Sequence, residues 1–594
     1  MHGGLILAEK RVDPASRQVP EKMSHSVQHQ GSHQMPQQVP RQITTEAYVS
    51  LADMLDRALK QHADKTACVS FGAAITYSAL DACAMRFAAW LQAQHLPRGS
   101  RIALMTPNTP VFLAVMLGTI RAGHVLVAIN PLFTARELQQ QLRDSQAEVI
   151  VCLENFAHVL QQVKDCPRLQ HCVVASLGDM LGPFKGRLVN LVVRHVKKMV
   201  PDWCKEGAIS WAEVMRLGSQ SAFRPVSISM DDLAVLQYTG GTTGTPKGAM
   251  LTHRNIVANV IQVETVAWPA LKDLMHQQLT MMTALPLYHI FAMTVCGFYC
   301  LHAGMKNVLV VNPRDFADLS KSWKKNPVNI FPAVNTLFNA LADNKVFRQL
   351  DFSSLCLTFG GGMAVQRAVA DKWKALTDCP IIEGYGLSEA SPVVAANPTT
   401  STEYSGSVGL PLPSTEIRIV SDSHDVVDTG EVGEIAVRGP QLMKGYWNAP
   451  EETQRVMTED GFFLTGDMGF MDERGYVTIV DRKKDIAIVS GFNVYPAEIE
   501  AIVAQHPGVH ECAAIGMPDA YSGECIKLFV VKKNPDLAES DLIDWCRGQL
   551  TGYKVPRQVE FREALPKTNV GKILRRGLRE NAAVASPAMS QDNL

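Results

Sequence analysis

From residue 51 onward the hydrophobic positions follow two alternating periods. Short apolar runs at 101–105, 125–129, 149–153, 233–237 and 306–311 read as buried strands. Amphipathic stretches with helical spacing run between them. That alternation predicts an α/β fold, with helices packed on largely parallel sheets and no internal repeat. The pattern changes after about residue 430, where 431–439 and 476–480 read as short strands between Gly and Asp turns. A dense charged run, DRKKD, follows at 481–485, where a hinge could sit. Next, 492–503 reads as a turn and a helix. Pro496 suits the first helical turn, Glu498 and Glu500 favour a helix N-terminus, and Ile499, Ile502 and Val503 form the apolar face. From there to about residue 580 a small α+β unit is expected.

Two segments test for membrane contact. Residues 274–305 contain no Lys, Arg, Asp or Glu, but Pro286, Tyr288 and His289 interrupt the run. The uninterrupted apolar part, 290–301, is too short to span a bilayer. It reads as a strand ending near Leu285, a loop at 286–289 and a buried helix. Residues 187–200 read as a basic amphipathic helix. At 100° per residue, Arg187, Arg194, Lys197 and Lys198 share one face, opposite Val189, Val192, Val193, Val196, Met199 and Val200. Such a helix either lies on an anionic membrane or docks on its own core with a solvated basic face.

The chain has 594 residues, and about 150 per domain gives roughly three to four domain-sized units. Lys and Arg total 57 against 58 Asp and Glu, a net charge of −1, so nucleic-acid binding by bulk charge is excluded. With 46% hydrophobic and 19% charged residues, whole-chain disorder, collagen and coiled coil are excluded too. The 13 Cys contain no CxxC pair, and Cys296 and Cys300 lie in an apolar run without a second pair. They read as reduced, buried thiols of a cytosolic protein, with little support for zinc. Residues 1–44, rich in Gln, His, Ser and Pro, are expected to be a disordered tail with solvated histidines.

The strongest local signal is YTGGTTGTPKGAM at 238–250, after the apolar run 233–237. Glycines let backbone N–H groups surround an anion, threonine hydroxyls donate to phosphate oxygens, and Lys247 adds a positive charge. It is not a Walker A loop, because Pro246 and Gly248 flank the lysine. This loop resembles the phosphate-binding signature of the adenylate-forming superfamily, which includes acyl-CoA synthetases, luciferases and peptide-synthetase adenylation domains. The resemblance recurs in order: LPLYHIF at 285–291, FGGGMA at 359–364, EGYGLSE at 383–389, LTGDMG at 464–469, DRKKD at 481–485 with VSGFNVYPAEI at 489–499, and PKTNVGKILRR at 566–576. Intervening strings such as NPLFTARELQQQL and LTGYKVP most resemble bacterial long-chain fatty-acid–CoA ligases.

The resemblance implies an adenylation domain at 45–480 with a β-rich subdomain, a hinge at 481–485, a mobile lid domain at 486–580 and a flexible tail at 581–594. It implies AMP-forming ligation of a long-chain fatty acid to CoA through an acyl-adenylate, with ATP and CoA as substrates and Mg²⁺ as cofactor. Tyr238, Thr239, Gly240, Gly241, Thr242, Thr243, Gly244 and Lys247 would bind phosphates, and Thr239 and Glu389 the metal. Gly361, Gly362, Tyr385, Gly386 and Ser388 would line the adenine side, and Asp467 and Arg482 the ribose. Lys572 is the expected catalytic lysine, with His289, Glu389 and Lys247 in catalytic roles. Lys484 matches the hinge position, and Gly491 the glycine past which pantetheine runs. Gly240 and Ser388 depart from the Ser/Thr and Thr usual in the family, which puts rates in doubt rather than the reaction. A medium-chain or aryl acid–CoA ligase and a fatty acyl-AMP ligase stay as alternatives, and a non-catalytic fatty-acid-binding protein is a further class. The expected location is the cytoplasm; a peripheral membrane contact and a homodimer stay open, and no nucleic-acid partner is expected.

Overall fold

The computed structural model describes residues 40–204, 207–239, 246–519, 521–568 and 572–579. Two large sheets carry the α/β architecture. The first has seven strands in the order Ala208–Ser210, His171–Ala175, Val149–Leu153, Arg101–Met105, Val125–Ala128, Leu233–Thr239, Lys247–Thr252, parallel except for the last. The second has nine strands, parallel through its middle from Ile381–Gly386 to Thr66–Ser70, with antiparallel strands at both edges. Apolar side chains from both sheets meet in one core with the helices Leu51–Gln61, Tyr77–Ala93, Pro110–Arg121 and His253–Leu271. Pro110–Arg121 is apolar nearly all round, and every one of its 12 residues is buried. Gly118 lets it approach the neighbouring helix, since a Cβ there would meet the Ala84 carbonyl at 2.7 Å. Arg121, the buried cation at its end, pairs with Asp56 and Asp81.

Asn108 joins the two sheets. Its Nδ2 donates to the Thr283, Leu285 and Val310 carbonyls at 2.9–3.1 Å, and its Oδ1 accepts from Leu287 N at 2.8 Å. This clamp holds the loop that leads to His289. The uncharged stretch then forms the strand Thr280–Thr283, that loop, and the fully buried helical run Ala292–Tyr299 with π-type turns. Among the described residues no helix is long and apolar enough to cross a membrane.

A four-stranded antiparallel sheet follows, in the order Glu416–Val420, Gly433–Arg438, Phe463–Met471, Val477–Arg482. Of the charged run 481–485, Asp481 and Arg482 belong to the last strand and Lys483–Asp485 form a single 3₁₀ turn. The C-terminal part is a five-stranded sheet built on the hairpin Val509–Asp519/Gly523–Lys532, with the helices Pro496–Val503 and Glu539–Arg547. Pro496 occupies the first helical turn, as expected. Its core contains no residue before Ala487.

The docked reading of 187–200 is met in part: Val193 joins the core, Val189 and Val200 pack against it, and Arg187, Arg194, Lys197 and Lys198 are exposed. The helix is Pro183–Leu191, continued by the π-type turn Val192–Val196. Val193 is buried, but Val196 and Met199 are 68% and 53% exposed. Two causes shift the phase. Gly178 and Gly186 meet backbone to backbone, so that edge of the helix must face inward. Arg194 turns to the buried Glu154, 2.7 Å away, and the wider turn breaks the 100° step.

Candidate active site

A cavity of about 2720 Å³ lies at the C-terminal ends of parallel strands, between the large sheets and the C-terminal unit. Strand carboxyl ends are where open α/β sheets place ligands. Every described residue named from the sequence lines it except Gly491. Gly240, Gly241, Thr242, Thr243 and Gly244 lie outside the described residues, as do Gly571 and the two expected tails as far as residue 39 and from residue 580.

The sheet register builds the acidic side. Asp467 and Arg482 are opposite one another in an antiparallel pair. Arg482 Nε lies 3.0 Å from Asp467 Oδ1, and the Tyr385 hydroxyl donates to Oδ2 at 2.6 Å. Each carboxylate oxygen keeps a second lone pair for another donor. Glu389 accepts from the Tyr446 hydroxyl through Oε1 at 2.8 Å, and burial raises its pKa. Glu383 lines the same cavity; burial pushes its carboxyl to about 8, and its Oε2 has no partner among the described residues.

The cationic side comes from three elements. Thr239 and Lys247 face each other where the strands Leu233–Thr239 and Lys247–Thr252 pair. Lys247 is ion-paired with Glu452 and lies 5.2 Å over the Tyr446 ring. Lys572 enters from the C-terminal segment, where Lys572 N donates to Thr568 Oγ1 at 3.1 Å. A Cβ on Gly362, which has φ +80°, would lie 3.8 Å from Lys572 Cε. Burial, then Arg482, lowers the Lys572 pKa to about 8. His289 is lowered to about 4 by burial and by Lys572, so it is neutral at pH 7. Its Nδ1 accepts from Phe291 N at 3.4 Å, which leaves the proton on Nε2.

On the apolar side the LPLYHIF segment contributes in part. Ile290 and Phe291 line the cavity, but Met293 belongs to the core between the sheets. Val263 and Val266 of the helix His253–Leu271, with Leu412, complete the wall. That helix is apolar around most of its circumference, which was the available signal. Tyr446, Glu452 and Asn108 were also missed; their partners lie 57 to 205 residues away.

Gly491 sits in the hairpin turn between Ala487–Val489 and Phe492–Val494, with φ +84° after Ser490 at +52°. A Cβ on it would meet nothing within 4 Å. In this conformation the turn geometry, not a narrow passage, requires glycine. Lys484 does line the cavity.

Among the described residues no three His, Cys, Asp or Glu side chains cluster as metal ligands. One carboxylate at Glu389 fits Mg²⁺, which is commonly held by one or two carboxylates plus substrate phosphates.

A family model described as AMP-binding enzyme matches residues 55–447, and one described as AMP-binding enzyme C-terminal domain matches 498–572. A long-chain-fatty-acid–CoA ligase of Escherichia coli O157:H7 is 49% identical over 544 residues, covering 91% of this chain and 96% of the relative. Two solved structures share the architecture. ATP-bound MatB from Rhodopseudomonas palustris superposes with a TM-score of 0.73 at 29% identity, over 89% of this chain and 98% of that one. The anthranilate CoA ligase AuaEII with anthranoyl-AMP gives 0.78 at 26% identity, over 91% and 98%. Both family models fall on the two units whose seam forms the cavity, and this chain belongs to the AMP-binding enzymes of the adenylate-forming superfamily.

Proposed function

We propose that this protein is an AMP-forming long-chain fatty-acid–CoA ligase. The observation that carries this reading is a cavity lined both by charged groups and by aliphatic side chains. Its volume, about 2720 Å³, exceeds the roughly 300–1,000 Å³ of a common small-ligand pocket and suits a nucleotide plus an acyl chain. Each buried methylene contributes about 0.8 kcal/mol, so aliphatic walls select long chains. The E. coli likeness supports the substrate class.

In the first half-reaction a carboxylate oxygen attacks the α-phosphorus of ATP. The acyl–phosphate bond forms, the α–β phosphoanhydride bond breaks, and diphosphate leaves with the electron pair. Two anions must meet, so the step needs fixed cations and donors. Lys572 is the bridging cation between carboxylate and α-phosphate. Burial and then Arg482 depress its pKa, and a polyanion bound beside it raises it again. Lys247, with Thr239 and residues 240–244, holds the outer phosphates, and Asp467 and Tyr385 the nucleoside. His289 serves as a neutral Nε2–H donor at the junction of acyl chain and phosphate. Mg²⁺ held by Glu389 and Thr239 neutralises phosphate charge when bound. In the second half-reaction the CoA sulfur gives its proton to solvent and attacks the acyl carbon; the carbon–sulfur bond forms, the acyl carbon–oxygen bond to phosphate breaks, and AMP leaves with the electron pair. The lid unit at 486–580 turns about 481–485 to withdraw Lys572 and bring Gly491 to the cavity.

The test is mass spectrometry of products from palmitate, ATP, Mg²⁺ and CoA. Palmitoyl-CoA and AMP are expected. Palmitoyl-adenylate without thioester would assign carrier-protein transfer, and turnover confined to shorter or aromatic acids would overturn the long-chain reading.

A further inference from the structure

The helix Pro183–Leu191 and its continuation present an apolar face to solvent. Phe184 is 89% exposed, and Leu188 and Leu191 are 62% and 54%. At 100° per residue these three fall within one narrow arc. Looseness does not explain the exposure. The opposite edge is seated by the Gly178–Gly186 contact, by Asn190 Oδ1 accepting from Gly178 N at 2.7 Å, and by buried Val193. Arg194 adds an ion pair to Glu154. The apolar arc is therefore held outward by the fold.

Charge accompanies it. Between positions 182 and 201 there are five Lys or Arg and no Asp or Glu, in a chain of net charge −1. Arg194 is used internally, whereas Lys185, Arg187, Lys197 and Lys198 form no salt bridge among the described residues. Arg187 is exposed on the helix beside the apolar arc, and Lys197 and Lys198 are exposed just past its π-type turn. An aliphatic arc flanked by uncompensated cations matches a surface that is apolar below and anionic above. A soluble protein partner would need an acidic rim around an apolar groove, and a second copy would bring the same cations into contact.

We propose that this helix docks the protein on an anionic lipid bilayer, with Phe184, Leu188 and Leu191 entering the acyl boundary and Arg187, Lys197 and Lys198 meeting headgroup phosphates. Docking deepens the ligase reading, because a long-chain acid partitions into the same bilayer. The docking itself needs no substrate, so it is tested apart from that reading.

The experiment is flotation of the full chain, without substrate, on vesicles of phosphatidylglycerol and phosphatidylethanolamine, and on phosphatidylcholine alone. Wild type is expected to float with the anionic vesicles, to float less as salt rises, and to stay in solution with phosphatidylcholine. Each surface cation contributes about fivefold in affinity. Lys197→Glu/Lys198→Glu and Leu188→Glu/Leu191→Glu should therefore each lower binding at least about tenfold, with unchanged melting temperature. Phe184→Ser, a milder change, should lower it in the same direction. Failure of wild type to float, or equal flotation of the variants, overturns the proposal. Unchanged flotation with a loss of oligomeric mass in Leu188→Glu/Leu191→Glu would assign the face to a second copy and also overturn it.

Discussion

The seam between the two large sheets and the seam between them and the C-terminal unit are built from opposite materials. The first is one continuous apolar core closed by buried helices and pinned by Asn108. Among the described residues the second has no shared apolar cluster; it is closed largely by charge. Arg575, held within the C-terminal unit by Glu500 at 2.7 Å, reaches across to Asp481 at 3.0 Å and to Asp485 of the expected hinge at 3.3 Å, and Arg579 reaches Asp485 at 2.9 Å. An apolar seam resists sliding because every displaced methylene must be wetted or leave a void. Ion pairs exchange with water at far smaller net loss. The comparison teaches which seam resists sliding less, and it separates the site residues by the unit that carries them. Asp467, Tyr385 and Glu389 belong to the larger part, and Lys572 to the C-terminal unit.

The largest expected effect breaks that division at the C-terminal unit. Lys572→Ala should slow adenylation about 10²- to 10³-fold, the usual scale for losing one charge-stabilising group. Thioester formation from supplied acyl-adenylate should stay within a few-fold. Separate half-reaction assays read both, and equal loss would mean that Lys572 does not leave the site. Lys484→Pro should do the reverse, lowering thioester formation at least about tenfold more than adenylation, since proline fixes φ where the chain must turn. Equal loss in the two assays would remove the hinge from position 484.

A smaller effect sharpens the electrostatic contrast. The proposed role of Lys572 requires an ammonium, and its pKa is lowered to about 8. The charged form is present below that value and lost above it. Consequently kcat/KM for adenylation should fall about tenfold per pH unit once pH passes about 8, and Lys572→Arg should move that limb upward. His289, neutral down to about 4, should contribute no acidic limb between pH 5 and 7. The smallest effect concerns Lys247. Its ion pair with Glu452 is part-exposed, so Glu452→Ala should free the lysine and lower the KM for ATP about two- to fivefold with kcat unchanged.

Much of the fold was legible from local pattern. The alternation of apolar runs with amphipathic stretches marked the sheets, and the interrupted uncharged stretch separated strand, loop and buried helix. Pro496 marked its helix because proline at a first turn needs no distant partner. What stayed illegible depended on contacts between distant residues. Nothing near Tyr446 signals that its hydroxyl serves Glu389, 57 residues away. The helix at 183–191 carried a visible moment, but its buried edge was chosen by glycines at 178 and 186 and by an ion pair to Glu154. Gly491 was read from the motif as a clearance, whereas here its positive φ in a tight turn is the physical demand.

Asn108 carries a consequence for how variation in this protein would be read. Its amide shares two N–H groups among three carbonyls and accepts from the Leu287 backbone, so no other side chain of its size offers the same set. In a saturation library scored by growth on a fatty acid, position 108 would tolerate almost nothing and would rank with Lys572. Scored instead by the abundance of folded protein, the two would part: Lys572 variants would persist and Asn108 variants would vanish. Intolerance alone would thus mistake a joint of the scaffold for a member of the chemistry.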